Sequence, residues 1–499
     1  MNHGPGRVGV LEQCPEREPV GVLGRPGTLG RAGNPDTLED TREPEDRIVD
    51  AFHPEASENF NGKAAALVGD LPEDVIRPQS GVETFQPDLP ISGHLTADDI
   101  VGVSTQTLPD ADGHEIARAL FSSEGAIRLD GATHDRFMAL VRAIHSTKFM
   151  RESVSFDSVA DWVGGWLLAA KLGHDVGDVC SHVSRLRAET VREFRVIVPL
   201  CEPYIESRFN VGESLVRPLT RDEVAGYFKL PPDTPEETRA AGETVMKARR
   251  KLWQARTAVV IDVTAEAQHA FEVAWDRANI VAAMLRLFSK GIFFPTTPSN
   301  CVPLGLARQP KRIAIAVHPD DGVAYNEMFT SPDVLENWRL SDGMIQQDLP
   351  YLTALARLQD SPRPTPFQQD LLKAVLLYSR AALSEEVTEK LIHIFAALES
   401  LLLKSDSEPV QSALSERVAF VIGDSADARE AIAQSVKRVY AHRSKFVHHG
   451  LAPERRKDLE EVKQLQLHVW KFFVQVVMAQ DKYEGKTDFL RSIEKRKWQ

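Results

Sequence analysis

The spacing of apolar residues divides the chain into four stretches. Up to about residue 115 they are scattered among Pro, Gly, Asp and Glu and mark neither a helical nor a strand face, so residues 1–115 are expected to be a disordered acidic segment. From about 115 to 190 the period is helical: Phe137, Leu140, Val141 and Ile144 recur at i, i+3, i+4 and i+7, and Val159, Trp162, Val163 and Trp166 follow the same spacing. Between about 190 and 350 the period turns to that of strands. Phe194 to Leu200 alternates and meets Pro199, Tyr204 to Val211 and Ser214 to Leu219 are short strand candidates, Thr257 to Val263 reads as a buried strand, and Arg312 to His318 as another. Thr220-Arg221-Asp222-Glu223 has the form of a capping box, and a helix from Ala265 to Lys290 is expected to close at Gly291. Together, residues 116–360 read as an α+β module with a mostly antiparallel sheet.

Ser361-Pro362-Arg363-Pro364-Thr365-Pro366 is a boundary, because its prolines continue neither a helix nor a central strand. Beyond it the helical period predicts helices over 367–383, 384–404, 409–422, 426–449 and 454–480, separated by short polar breaks. Short connections favour antiparallel neighbours, so 367–485 is expected to be an all-α bundle.

Two charges break the apolar stripes of that bundle. Ile432, Val436, Val439, Tyr440 and Val447 share one face of the fourth helix, and Arg443 falls among them. On the second helix Leu391, Phe395, Leu398 and Leu402 form a stripe that includes Glu399. A buried guanidinium without a partner is costly, so Arg443 and Glu399 are expected either to meet or to line a water-filled groove.

Composition narrows the classes. No apolar run approaches the roughly 18 residues needed to cross a bilayer, and Met1 to Gly6 lacks the basic and apolar regions of a signal peptide, so the expected setting is cytoplasmic, with no membrane partner. The four cysteines, at 14, 180, 201 and 301, have neither the spacing of a zinc ribbon nor that of a disulfide framework and read as free thiols. Cys180-Ser181-His182 lacks further ligands at a metal-binding spacing. Gly4 to Gly9 matches a dinucleotide-binding string without the strand it needs, and Gly485-Lys486-Thr487 lacks the first glycine of a phosphate loop. No metal or cofactor is therefore expected.

The net charge of −13 would disfavour a nucleic-acid partner, but it is unevenly spread. Residues 1–120 carry 9 Lys and Arg against 22 Asp and Glu, an imbalance equal to that of the whole chain. Residues 371–499 carry 21 against 18 and include the clusters Arg455-Arg456-Lys457 and Lys495-Arg496-Lys497, which is compatible with RNA.

The end of the fourth helix, Tyr440 to Gly450, carries the candidate chemistry. His448 follows Arg443 by five residues, some 140° around a regular helix. The two share a site only if the helix loosens near Gly450 or if two protomers converge across a two-fold axis. Tyr440, Ser444 and His448 do share a face, so the hydroxyls are placed to orient the imidazole. His448 also stands in the last helical turn, where the dipole favours positive charge.

The string Tyr440-x-x-Arg443-Ser444-x-x-Val447-His448-x-Gly450, with Phe395-Ala396-Ala397-Leu398-Glu399-Ser400-Leu401-Leu402 and Glu416-Arg417-Val418-Ala419 upstream, resembles the R-x4-6-H motif and its surroundings in the ApeA-like group of HEPN-domain ribonucleases. The resemblance covers about residues 367–480 and implies a HEPN helical bundle, a homodimer with a composite active site, and metal-independent cleavage of RNA, often in antiviral defence or as a toxin-type effector. It implies catalytic roles for Arg443 and His448, with Glu399, Tyr440, Ser444 and His449 in support. His449 offers an alternative spacing, and Ser444 stands where many such motifs carry Asn, Asp or His. The central module more loosely resembles the variable sensor modules that precede such domains, which implies a trigger or antitoxin partner. A noncatalytic reading is a HEPN dimerisation or RNA-binding adaptor in which Arg443 is sealed against Glu399 and His448 only ends its helix.

Overall fold

A computed structural model of the chain describes residues 51–71, 104–230, 232, 234–305, 311–318, 322–329, 338–405, 407–453 and 455–497. Contacts divide it into two units, Met1–Phe194 with Thr264–Ala270, and Arg195–Val263 with Phe271–Gln499. Among the described residues no helix is long and apolar enough to cross a membrane.

The first unit holds helix α1 (Pro54–Asp70), strands β1 (Ser104–Pro109), β2 (Glu115–Phe121) and β3 (Ala126–Asp130), then helices α2 (Gly131–His145), α3 (Lys148–Arg151), α4 (Phe156–Lys171) and α5 (Val179–Thr190). The expectation of disorder up to residue 115 fails at α1. Phe60, Ala64 and Leu67, at i, i+4 and i+7, are buried in the same core as Phe137, Leu140, Val141 and Ile144. Asn61 Oδ1 accepts from the Cys180 amide at 3.2 Å, which ties α1 to α5. Residues 1–50 and 72–103 of that expected segment, with Gly4 to Gly9 and Cys14, lie outside the described residues. The expected helical stretch after 115 opens instead with an antiparallel sheet in the order β1-β2-β3, Ala119 pairing Gln106 on one side and Arg128 on the other. The later helices stand where the spacing puts them, with Val159, Val163 and Trp166 buried.

The second unit contains most of β4 (Arg192–Pro199), then β5 (Tyr204–Ile205), β6 (Phe209–Val211), β7 (Ser214–Pro218), α6 (Arg221–Tyr227), α7 (Glu236–Trp253), most of β8 (Thr257–Ala265) and of α8 (Ala267–Arg286), α9 (Lys290–Phe293), the hairpin β9 (Lys311–His318) and β10 (Gly322–Phe329), and β11 (Arg339–Leu340). The main sheet runs β4-β8-β7-β6, and β7 pairs antiparallel with both β6 and β8. Residues Thr257 to Ile261 of β8 are buried, as a central strand requires. β9 and β10 are antiparallel, and β5 and β11 pair in parallel. The Thr220 hydroxyl caps α6 by accepting from the Glu223 amide at 3.2 Å. The long helix ends at Arg286 rather than at Gly291, which lies inside α9. Gly291 is needed there for close approach: a Cβ would stand 2.5 Å from the Ala382 carbonyl oxygen and 2.8 Å from the Ser299 amide nitrogen.

The helices that follow are α10 (Asp342–Asp360), α11 (Pro366–Arg380), α12 (Val387–Leu402), α13 (Val410–Ile422), α14 (Ala426–His449), α15 (Arg456–Met478) and α16 (Lys486–Arg496). Five of them answer the five expected helices. Thr365 opens α11 with a capping box, its hydroxyl accepting from the Gln368 amide while the Gln368 side chain accepts from the Thr365 amide. α14 starts at the Ser425 cap and stops at Gly450, which takes the left-handed conformation at φ +68°. Their apolar faces meet around Tyr378, Phe395, Leu398, Val436, Val439 and Phe472, all buried. Lys390 on α12 is fully buried, and its Nζ donates to the carbonyls of Gly291 at 2.7 Å, Phe294 at 3.1 Å and Thr297 at 2.7 Å.

Candidate active site

The C-terminal end of α14 is set by its neighbours. Val436 and Val439 anchor it in the core, and the Tyr440 ring stands edge-on to Phe395 of α12 at 5.0 Å between centroids. The stripe stops there: Val447, expected to be apolar core, is 49 % exposed. In the last turn His448 and His449 are exposed as well.

Arg443 sits at the edge between these regimes. It is half-buried, its guanidinium carbon lies 5.7 Å from the Tyr440 ring centroid, and its Nε is sealed from solvent without a hydrogen-bond partner. Glu399 is half-buried beside it. Burial raises the Glu399 carboxyl above the usual carboxylate range, and the positive charge of Arg443 opposes that rise. The two expected inward charges therefore feel each other, yet no hydrogen bond or ion pair within 4.0 Å joins them among the described residues.

His448 and His449 are both exposed, their rings 6.4 Å apart. α14 stays α-helical through His449, so the loosening near Gly450 that would bring Arg443 and His448 together within one chain does not occur. Ser444 is half-buried, and no hydrogen bond joins its hydroxyl or that of Tyr440 to the His448 ring among the described residues. The Tyr440 ring packs against Phe395 and under Arg443.

The two basic clusters separate in character. Arg455, Arg456 and Lys457 are exposed at the start of α15, and Lys445 is exposed on α14. By contrast, Lys497 pairs with Glu416, and Arg496 reaches the carbonyls of Phe420 and Val421 at 3.4 Å. In the second cluster Arg496 and Lys497 would have to give up these contacts to bind phosphates. Arg417 on α13 is engaged too: it donates to both Glu408 oxygens at 2.7 and 2.8 Å and to the Leu402 carbonyl.

Sequence reasoning passed over two features of this region. Lys390 went unnoticed because its acceptors are backbone carbonyls in the turn before Cys301. His442, inside the quoted stretch, meets Asp458 and Glu461 of α15, and the three offer ligand atoms within 4.8 Å of one another. A second such group, Asp110, Asp112 and His114, is exposed in the β1–β2 turn, where Asp110 accepts from the Asp112 and His114 amides. Cys180, Cys201 and Cys301 are free and buried, and burial raises each thiol above its usual range. Compared with protein-family models, curated proteins and solved structures, the chain matches none.

Proposed function

We propose that the C-terminal helical module is a HEPN-type, metal-independent endoribonuclease that works as a homodimer. The observation that carries this reading is Arg443, a half-buried guanidinium beside a half-buried carboxylate without a direct pair, on the same helix end as an exposed His448. Some 140° of helix separates the two side chains within one chain. A site that uses both is therefore composite, Arg443 of one protomer facing His448 of its partner across a two-fold axis.

The chemistry asked of them is internal transesterification. A base takes the proton of the ribose 2'-OH, the 2'-oxygen attacks phosphorus, and the bond to the 5'-oxygen breaks as that oxygen takes a proton. The products are a 2',3'-cyclic phosphate and a 5'-hydroxyl. Imidazole serves the proton transfers, and the guanidinium stabilises the charge that builds on the phosphorane oxygens. DNA lacks the nucleophile. Lys445, Arg455, Arg456 and Lys457 supply the surrounding positive charge that holds the phosphate backbone.

The test is cleavage of total cellular RNA and of tRNA, with EDTA present, by the wild type and by His448→Ala of confirmed fold. The expected outcome is cleavage by the wild type alone, leaving 2',3'-cyclic ends, with the variant slower by about 10²–10⁴-fold. Equal behaviour of the two proteins, with and without RNA-bearing triggers such as phage-infected lysate, would leave the adaptor reading in its place.

A further inference from the structure

α14 and α15 bring together three side chains that the cleavage chemistry leaves unused. His442 Nε2 lies 3.4 Å from Glu461 Oε2 and 3.9 Å from Asp458 Oδ1. Asp458 and Glu461 stand three residues apart on α15 and share a face, while His442 comes from the facing helix. Four-coordinate ions with bonds of about 2.0–2.2 Å hold their ligand atoms about 3.3–3.6 Å apart. The triad is thus within a small side-chain rotation of a coordination shell.

We propose that His442, Asp458 and Glu461 bind a divalent transition-metal ion of the zinc class, which clamps α14 to α15. One imidazole nitrogen with two carboxylates suits zinc, manganese or cobalt better than calcium or magnesium, which favour oxygen ligands throughout. The surroundings are those of a supported site. Arg438 Nε stands 3.5 Å from Glu461 Oε1, the oxygen turned away from His442, and so holds Oε2 toward the imidazole. The three side chains are 19 %, 24 % and 20 % exposed, which leaves an entry path and room for water as a further ligand. The ion's role is structural: it ties α14 to α15 and takes no part in proton transfer. The inference stands apart from the ribonuclease reading, because it concerns binding and can hold for an adaptor as well.

A competing occupant is a proton, which would make His442 an imidazolium paired with two carboxylates. Metal titration separates the two. The full chain, free of any affinity tag and stripped with EDTA, is titrated with Co²⁺ while its visible d–d absorption is followed, and with Zn²⁺ by calorimetry. One saturable equivalent per chain is expected, lost in His442→Ala and in the double variant Asp458→Asn with Glu461→Gln. Arg438→Gln is expected to weaken binding about 10-fold, and His114→Ala, in the exposed group of the β1–β2 turn, to leave it unchanged. The double variant keeps side-chain volume and reads the site even where His442→Ala fails to fold. Absence of saturable binding by the wild type, retention of the cobalt spectrum in the folded double variant, or its loss in His114→Ala would each overturn the assignment.

Discussion

The middle of the helical module and its α14 end each place a cation on an inward-facing helix surface, and they treat it in opposite ways. Lys390 is fully buried, and three backbone carbonyls accept from its ammonium group. Every proton it can donate is used, so its charge is spent on holding the 290–297 turn against α12. Arg443 is half-buried with an unpaired Nε and a carboxylate near but not in contact. Satisfied polar groups specify structure, whereas a half-buried guanidinium at the rim of a core, with no acid in direct contact, is not committed to a structural pair.

The largest effect that separates the two concerns Arg443. Arg443→Ala is expected to slow RNA cleavage by about 10²–10³-fold while changing folding stability by no more than about 1 kcal/mol. Denaturant unfolding alongside the cleavage assay checks both halves. A stability loss of about 3 kcal/mol with cleavage intact would put Arg443 in the same structural class as Lys390.

Lys390 is expected to behave in reverse. Lys390→Met leaves the buried carbonyls of Gly291 and Thr297 without the ammonium donor, while that of Phe294 keeps the Thr297 amide at 3.4 Å, and should cost about 2 kcal/mol or more, each orphaned acceptor contributing about 1 kcal/mol at least. Its pH dependence has a definite sign. Burial pulls the Lys390 ammonium down to about 7 from 10.5, so between those values the unfolded chain holds a proton that the folded chain releases. The difference in stability between wild type and Lys390→Met should therefore rise with pH from about 7 toward 10.5 and be flat below it. A difference that stays flat across that window would show that the carbonyls outweigh burial and keep the group charged.

The same contrast explains what the sequence could disclose. The helices α11 to α15 were legible because their apolar residues keep a 3.6-residue period between capping and glycine stops, with Thr365, Ser425 and Gly450 at the ends. α1 was hidden by its scarcity of large apolar residues, and its burial of Phe60 and Leu67 depends on partners far along the chain. β2 was hidden by a charge: Arg118 is buried where alternation calls for an apolar residue, and Glu115 binds it with bonds of 2.8 and 2.9 Å. α10 carries Pro350 in its interior, which reads as a helix breaker. In the site, Arg443 and Glu399 were visible as charges on apolar stripes, a pattern internal to each helix. His442 with Asp458 and Glu461 was not, because it exists only once α14 and α15 lie side by side. Periodicity reports which face of an element is inward and is silent on what that face meets.

The smallest expected effect bears most directly on whether Arg443 is free. Burial holds the Glu399 carboxyl above its usual value of 4.5, and Arg443 only partly offsets this. Across a window just above pH 4.5 the folded state then binds a proton more tightly than the unfolded state, so stability contributed by the protonated group is lost as pH rises through the folded value. Glu399→Gln removes that loss while keeping the shape of the side chain. The stability of wild type minus that of Glu399→Gln is therefore expected to decline on going from acid to neutral pH, by about 1 kcal/mol or less. Paired urea unfolding series on the two proteins measure it. A direct Arg443–Glu399 ion pair would give the opposite slope, since the attraction would then depress the carboxyl and make ionisation stabilising. A rising difference would thus mean that the guanidinium is already sealed and that α14 ends in a structural pair; a falling one leaves Arg443 to engage a phosphate.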